Sequence, residues 1–287
     1  RDNNVSIILG CIWNCPDLVN LLIRSFAETG EIRMTVIGWL QILLYLVFLL
    51  VLVKPVGKYI ALVFQGQKTL LSPVVLPIER FVYRISGIKP NSEMNWKEYS
   101  ISLLLISLLG ILFLFILLRV QNHLPLNPNG ITPFPSNTAI NTAISFVTNT
   151  NWQNYGGEGS LSYLSQMLGI TVQNFISAAS GLAIAAAVIR AFVRQNVQML
   201  GNFWVDLTRS LLYILIPLSL ILALFLVSQG VVQTFSKSVS ANLVQPYSIS
   251  DDHIITQQVI SVGPVASQVA IKHLGTNGGG FFNANSA

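Results

Sequence analysis

Three stretches of this chain carry apolar residues with no charge or almost none. Thr35–Val53 has no charged residue, and Ile101–Leu118 lies between Lys97 and Arg119. Leu207–Val227 carries Arg209 near its start and Pro217 inside. About 20 such residues cross a hydrocarbon core, so each predicts a transmembrane helix, the first ended by Lys54 and Pro55. Pro217 predicts a kink whose freed carbonyl is taken up by a neighbouring helix. A further stretch, Ser160–Arg190, is long and mixed. It carries Gln166, Thr171, Gln173, Asn174, Ser177 and Ser180, so it must hide a polar side inside a bundle. Helix–helix hydrogen bonding accounts for such a face more often than a pore lining does. Ser177, Gly181 and Ala185, spaced four apart, predict a close helix approach.

Composition agrees with the pattern. Of 287 residues 52% are hydrophobic and only 9% charged, against about 25% charged in a soluble domain. Too few charges remain to cover a soluble globule. The net charge of +5 does not cluster with aromatics on a polar face, which argues against nucleic acid as a partner. It sits in two loops beside the spans. Residues 54–100 hold Lys54, Lys58, Lys68, Arg80, Arg84, Lys89 and Lys97, and the segment between the last two spans holds Arg190, Arg194 and, at its far edge, Arg209. The positive-inside rule places both in the cytoplasm and the N-terminus outside. Cys11 and Cys15 have no second Cys or His pair and receive no metal role. The chain opens on Arg1, so 1–33 reads as an extension, or as read-through upstream of a start at Met34.

The two outer loops, 120–159 and 228–275, each end in a semi-apolar segment too short to span: Asn137–Val147 and Gly263–Leu274. Each leads into a polar loop, Thr148–Gln153 and Gly275–Phe282. Laid over one another without gaps, Ala143-Ile144 falls on Ala270-Ile271 and Asn151 on Gly278, a weak internal repeat. A short helix dipping into the membrane presents its negative C-terminal end, and the loop after it can offer carbonyl oxygens to an ion. Gly278, Gly279 and Gly280 suit such a loop, because glycine reaches positive φ at little cost. Thr276 can add a hydroxyl oxygen, and Asn151, Gln153 and Asn285 amide oxygens. All are neutral, which suits a monovalent cation, whereas calcium and magnesium sites normally include carboxylates. Singly, each loop reads as a turn rich in glycine and asparagine. Two of them, each after a short helix and on the same side, favour ion binding. No enzyme signature is present: Gly57-Lys58-Tyr59 lacks the phosphate-loop spacing, and Gly156-Gly157-Glu158-Gly159 follows no strand.

At these residues the chain resembles the potassium-binding A subunits of the Kdp potassium-transporting ATPases. The resemblance rests on Gly275–Ser286, Ser145–Gln153, Glu93–Tyr99, His123–Pro128, Thr171–Phe175 and Gly263–Gln268, and runs from about Met34 to the end. It implies an all-α membrane protein with potassium-channel-like span–pore helix–span repeats, truncated here within the second of four. The implied parts are an N-terminal extension (1–33), an extra span (34–56) and a cytoplasmic loop (57–100). Repeat one (101–192), a second cytoplasmic loop (193–206) and an incomplete repeat two (207–287) follow.

The resemblance implies a non-catalytic subunit that binds extracellular potassium in a filter. It would pass the ion through an intramembrane tunnel to a P-type ATPase subunit, alongside small accessory subunits, in a bacterial inner membrane. Potassium is the substrate and no cofactor is implied. The implied filter residues are Thr150, Asn151, Gln153, Thr276, Asn277, Gly278, Gly279 and Asn285. Alternatives are an ATP-independent channel or transporter, and a truncated product that is inert or serves only assembly.

Overall fold

A computed structural model describes residues 35–194, 198–250 and 253–282. The extension with Cys11 and Cys15, the pair Asp251-Asp252 and the filter candidate Asn285 lie outside the described residues. The chain falls into two compact units, Arg1–Lys58 and Tyr59–Ala287. Among the described residues, four helices are long and apolar enough to cross a membrane: Val36–Phe64, Trp96–His123, Ser165–Val193 and Phe203–Ser228. The chain is thus a mostly helical, multi-pass membrane protein.

Helix α1 (Val36–Phe64) does not end at Lys54 and Pro55, as expected from the sequence; it runs through them. Proline removes one N–H and crowds one carbonyl. The apolar residues beyond it still find partners, since Val63 packs with Val75, Tyr213 and Ile214. The basic segment that follows holds a helix that periodicity had not flagged, α2 (Ser72–Ser86). Pro73 stands in its first turn and Gly87 closes it in the left-handed conformation at φ 66°. Both placements suit the residue's backbone preference.

Helix α3 (Trp96–Val120) starts on a capping box. Asn95 Oδ1 accepts from Lys97 N and Glu98 N, and the Glu98 carboxylate accepts from Asn95 N. A short helix, α4 (Ser136–Val147), and a single turn, α5 (Gly157–Ser160), precede the next span. That span opens with a π-helical stretch, Ser165–Thr171, and continues as α6 (Val172–Val193). Its packing face is not the predicted Ser177–Gly181–Ala185 stripe. Gly181 and Ala185 are exposed, and a Cβ on Gly181 would meet nothing within 4 Å. Ala179, Ala183 and Ala187 pack instead, against Tyr99, Phe203 and Leu207. A close approach occurs at Gly169, where a Cβ would lie 2.8 Å from Leu114 Cδ1.

The last described span is α7 (Phe203–Arg209), a π-helical stretch (Ser210–Leu215) and α8 (Ile216–Ser228). Pro217 disturbs the carbonyl four residues before it, that of Tyr213. The Tyr59 hydroxyl donates to that oxygen at 2.7 Å, so a side chain from another helix takes up the freed acceptor. Arg119, which bounds the apolar run of α3, donates to Phe134 O.

Among the described residues there are also two small sheets. Strands β1 (Met94–Asn95) and β2 (Met199–Gly201) pair antiparallel and tie the two basic loops together. Arg194 with Glu93 at 2.9 Å and Asn202 Nδ2 donating to Ser92 O add to that tie. A second pair, β3 (Val239–Ser250) and β4 (His253–Ile260), forms a hairpin in the loop before the last described helix, α9 (Val265–Leu274). The sequence reading assigned no strand there.

Candidate functional site

The site is built from α4 and α9 and the loops that leave them. Both helices end alike, 127 residues apart. Thr148 N donates to Ile144 O and Gly275 N to Ile271 O. Thr150 N donates to Ser145 O and Asn277 N to Lys272 O. Asn149 and Thr276, the next equivalent pair, both take left-handed φ, at 62° and 55°. A non-glycine residue at positive φ is uncommon, and two at equivalent places mark a shared turn. The aligned peptide dipoles of each helix put partial negative charge beside each loop.

The loops meet. Gly280 N donates to Gln153 Oε1 at 2.8 Å, and Gln153 Nε2 reaches Gly280 O at 3.4 Å. These two residues are themselves equivalent under the 127-residue offset. Beneath them lies a cluster of amides. Asn277 Nδ2 contacts Asn149 Oδ1, Asn151 Oδ1 at 3.1 Å and Ser177 Oγ at 3.4 Å. Asn151 Nδ2 donates to Asn174 Oδ1 at 3.0 Å, and Ser177 Oγ to Asn149 Oδ1 at 3.0 Å. Asn151 is 0% exposed and Asn277 8%. The polar face of α6 therefore bonds the loops.

These bonds give the predicted residues different parts. The side-chain amides of Asn151, Gln153 and Asn277 hold one loop to the other. Thr150 and Thr276 are exposed, and the Thr150 hydroxyl pairs with that of Thr148 at 3.0 Å. Gly278 and Gly279 are not at positive φ, contrary to the reason the sequence suggested for them. Space is what they supply. A Cβ on Gly279 would stand 2.8 Å from Asn151 O and 2.5 Å from Phe146 Cζ. A Cβ on Gly278 would stand 3.6 Å from Thr150 O. The carbonyl oxygens of Thr150 and Asn151 thus run beside the glycine backbone.

Gly157 is another close approach. A Cβ there would collide with Phe281 O and lie 3.0 Å from Gly280 O and from Gln166 Nε2. Gln268 Nε2 donates to Gln166 Oε1 at 2.9 Å. Asn149 and Gln268 were not singled out from the sequence. The 127-residue offset from Thr276 would have pointed to Asn149; Gln268 carried no signal of its own. Among the described residues, Gln166 Nε2, Asn174 Nδ2, Gln268 Oε1 and Asn277 Oδ1 are buried without a hydrogen-bond partner in the protein. Buried polar atoms normally take water or another ligand.

At the basic end of the spans, Arg190 holds Asp206 at 2.6 Å, with the Tyr99 hydroxyl 3.1 Å from the same carboxylate. Arg209 holds Glu79 at 2.9 Å, and the Tyr83 and Tyr213 hydroxyls each donate to Glu79 at 2.7 Å. Burial alone would raise the Glu79 pKa, but those two hydroxyls and Arg209 outweigh it, and the carboxyl lies below its ordinary 4.5. Burial and the neighbouring Glu79 push the Tyr83 hydroxyl up.

The family model described as the potassium-transporting ATPase A subunit matches residues 43–287. Among similar proteins, one from Brucella anthropi is 55% identical over 254 residues, 88% of this chain and 43% of its own length. One from Sorangium cellulosum is 54% identical over 88% of this chain and 44% of its own length. One from Geobacter metallireducens is 52% identical over 88% of this chain and 45% of its own length. Each is named as a potassium-transporting ATPase potassium-binding subunit. The chain spans less than half the length of these curated relatives.

Proposed function

Because the chain belongs to the potassium-transporting ATPase A-subunit family, we propose that its two facing loops form part of a potassium filter. The observation that carries this reading is the matched pair of helix-end loops, 127 residues apart and bonded through Gln153 and Gly280. Backbone carbonyls of Thr150 and Asn151, and those of the Thr276–Gly279 stretch opposite, are the ligands. They are neutral oxygens beside the negative ends of α4 and α9, which favours a weakly hydrated monovalent cation. The buried amides of Asn151, Gln153 and Asn277 set the spacing of those carbonyls.

The complete subunit arranges such loops in span–pore helix–span repeats, of which residues 101–192 and 207–287 are one and part of a second. It takes potassium from outside a bacterial inner membrane and passes it through an intramembrane tunnel to a P-type ATPase subunit, with small accessory subunits bound. It performs no catalysis itself. The basic residues within 54–100 and 193–206, at the span ends and between the spans, face the cytoplasmic side of the membrane, which puts the N-terminus outside.

The test is rubidium uptake by the full-length subunit in its complex. A Gly278→Asp variant should lose uptake at low external potassium, because a carboxylate placed beside the Thr150 carbonyl replaces a neutral ring with a charged one. Normal uptake by that variant, or sodium competing as well as potassium, rejects the filter assignment. Uptake insensitive to vanadate rejects the coupling to a P-type ATPase.

A further inference from the structure

Helix α2 presents three faces. Val75, Glu79 and Tyr83 are buried against the protein. Val74, Ile78, Phe81 and Ile85, spaced by four, three and four, form an exposed apolar stripe, and Leu70 extends it at 95% exposure. Arg80 and Arg84, one turn apart and both exposed, lie on the remaining side, with exposed Lys68 and Lys89 beyond the two ends. A helix that is apolar along one exposed side and basic along the next suits the boundary between headgroups and acyl chains.

Its level relative to the bilayer follows from what it touches. Glu79 binds Arg209 and Tyr213, which lie six and ten residues into the span that starts at Phe203. At 1.5 Å per residue those contacts are about 9 and 15 Å from the span's end. The 26-residue span is about 39 Å long and crosses a core of about 30 Å, so a few ångströms at each end lie in the headgroups. The contacts therefore fall about 4 to 11 Å into the hydrocarbon, on the side that carries the basic loops. An exposed apolar stripe at that depth has acyl chains for a neighbour, and arginines beside it reach to the phosphates.

We propose that α2 is an interfacial helix that seats on the bilayer surface and selects anionic lipid through Arg80 and Arg84. This does not depend on the potassium reading. The full-length subunit, with Cys11, Cys15 and every other native cysteine replaced, is given one cysteine at a time by Phe81→Cys, Ile85→Cys or Lys89→Cys. Each is labelled with bimane and placed in vesicles of brominated phosphatidylcholine. Labels at Phe81 and Ile85 should lose emission, most with bromine near the headgroup, and the label at Lys89 should not.

With brominated phosphatidylglycerol mixed in, the relative association constant at Phe81 should favour the anionic lipid. It should fall by about fivefold for each of Arg80→Gln and Arg84→Gln. Emission at Phe81 and Ile85 no more quenched than at Lys89 overturns the proposal, and a protein surface then covers the stripe. Quenching that ignores headgroup charge, or survives both arginine substitutions unchanged, overturns the lipid selection.

Discussion

Gly278 and Gly279 are adjacent, yet the structure gives them opposite sensitivities. A methyl at Gly279 would stand 2.5 Å from Phe146 Cζ, 2.8 Å from Asn151 O and 3.0 Å from Gln153 Oε1. Carbon pairs rest at about 3.5–4.0 Å, so the loop or the ring has to move by roughly an ångström. Phe146 is fully buried among Leu114, Leu118 and Ile170 and cannot swing away. Overpacking of this kind costs about 1–3 kcal/mol. In a chain of this size each kcal/mol lowers the melting midpoint by roughly 2–4 °C. A methyl at Gly278 would meet only Thr150 O at 3.6 Å, Asn151 Cβ at 3.7 Å and Asn151 O at 3.9 Å, all ordinary contacts. Its stability effect should stay within about 0.5 kcal/mol. The assay is thermal unfolding of the full-length subunit in detergent, run beside rubidium uptake. Gly279→Ala should lower both the midpoint and uptake. Gly278→Ala should leave the midpoint in place and reduce uptake alone, because the methyl crowds the carbonyls on which ion binding depends. Equal midpoints for the two variants would refute the packing argument.

Other expectations rest on the charged and proline-linked contacts. Tyr59→Phe leaves the Tyr213 carbonyl without its donor and should cost about 1 kcal/mol. In a Pro217→Ala background, where a main-chain N–H can return to that carbonyl, the same change should cost less; a thermal double-mutant cycle with no coupling would count against this. Asp206→Asn strands Arg190, which is mostly buried, and should destabilise by about 3–5 kcal/mol, read as lost yield of folded protein from membranes. The Glu79 carboxyl titrates below 4.5 when folded, so its stabilising share is fully present above about pH 4.5 and fades as pH falls through the folded value. The midpoint gap between the parent and Glu79→Gln should therefore be wide at pH 6 and shrink in acid, and a constant gap would contradict the pairing. Asn277→Asp puts a charge against Asn149, Asn151 and Ser177, so it should destabilise more than Asn277→Ala in the same melt.

Much of the architecture is legible in the one-dimensional pattern, because lipid imposes it. A span needs about 20 apolar residues whatever surrounds it, so four spans could be placed to within a few residues at most ends. The exception, α1 running on past Pro55 to Phe64, depended on contacts that no local signal carries. The 127-residue offset was likewise readable, since two copies of one turn keep their length even where their residues differ. Local sequence did not reveal which atoms of that turn are engaged. Asn151 and Gln153 look alike on paper as oxygen donors, but their amides are occupied by residues more than 20 and more than 120 positions away. The glycines look like hinges, and only the approach of Phe146 and Asn151 shows Gly279 to be a place where nothing larger fits. Composition and periodicity thus determined that this is a membrane chain with paired polar loops. Tertiary structure decided how the loops interlock, where α2 lies and which of the buried polar atoms find partners, because those depend on long-range contacts that the chain makes only when folded.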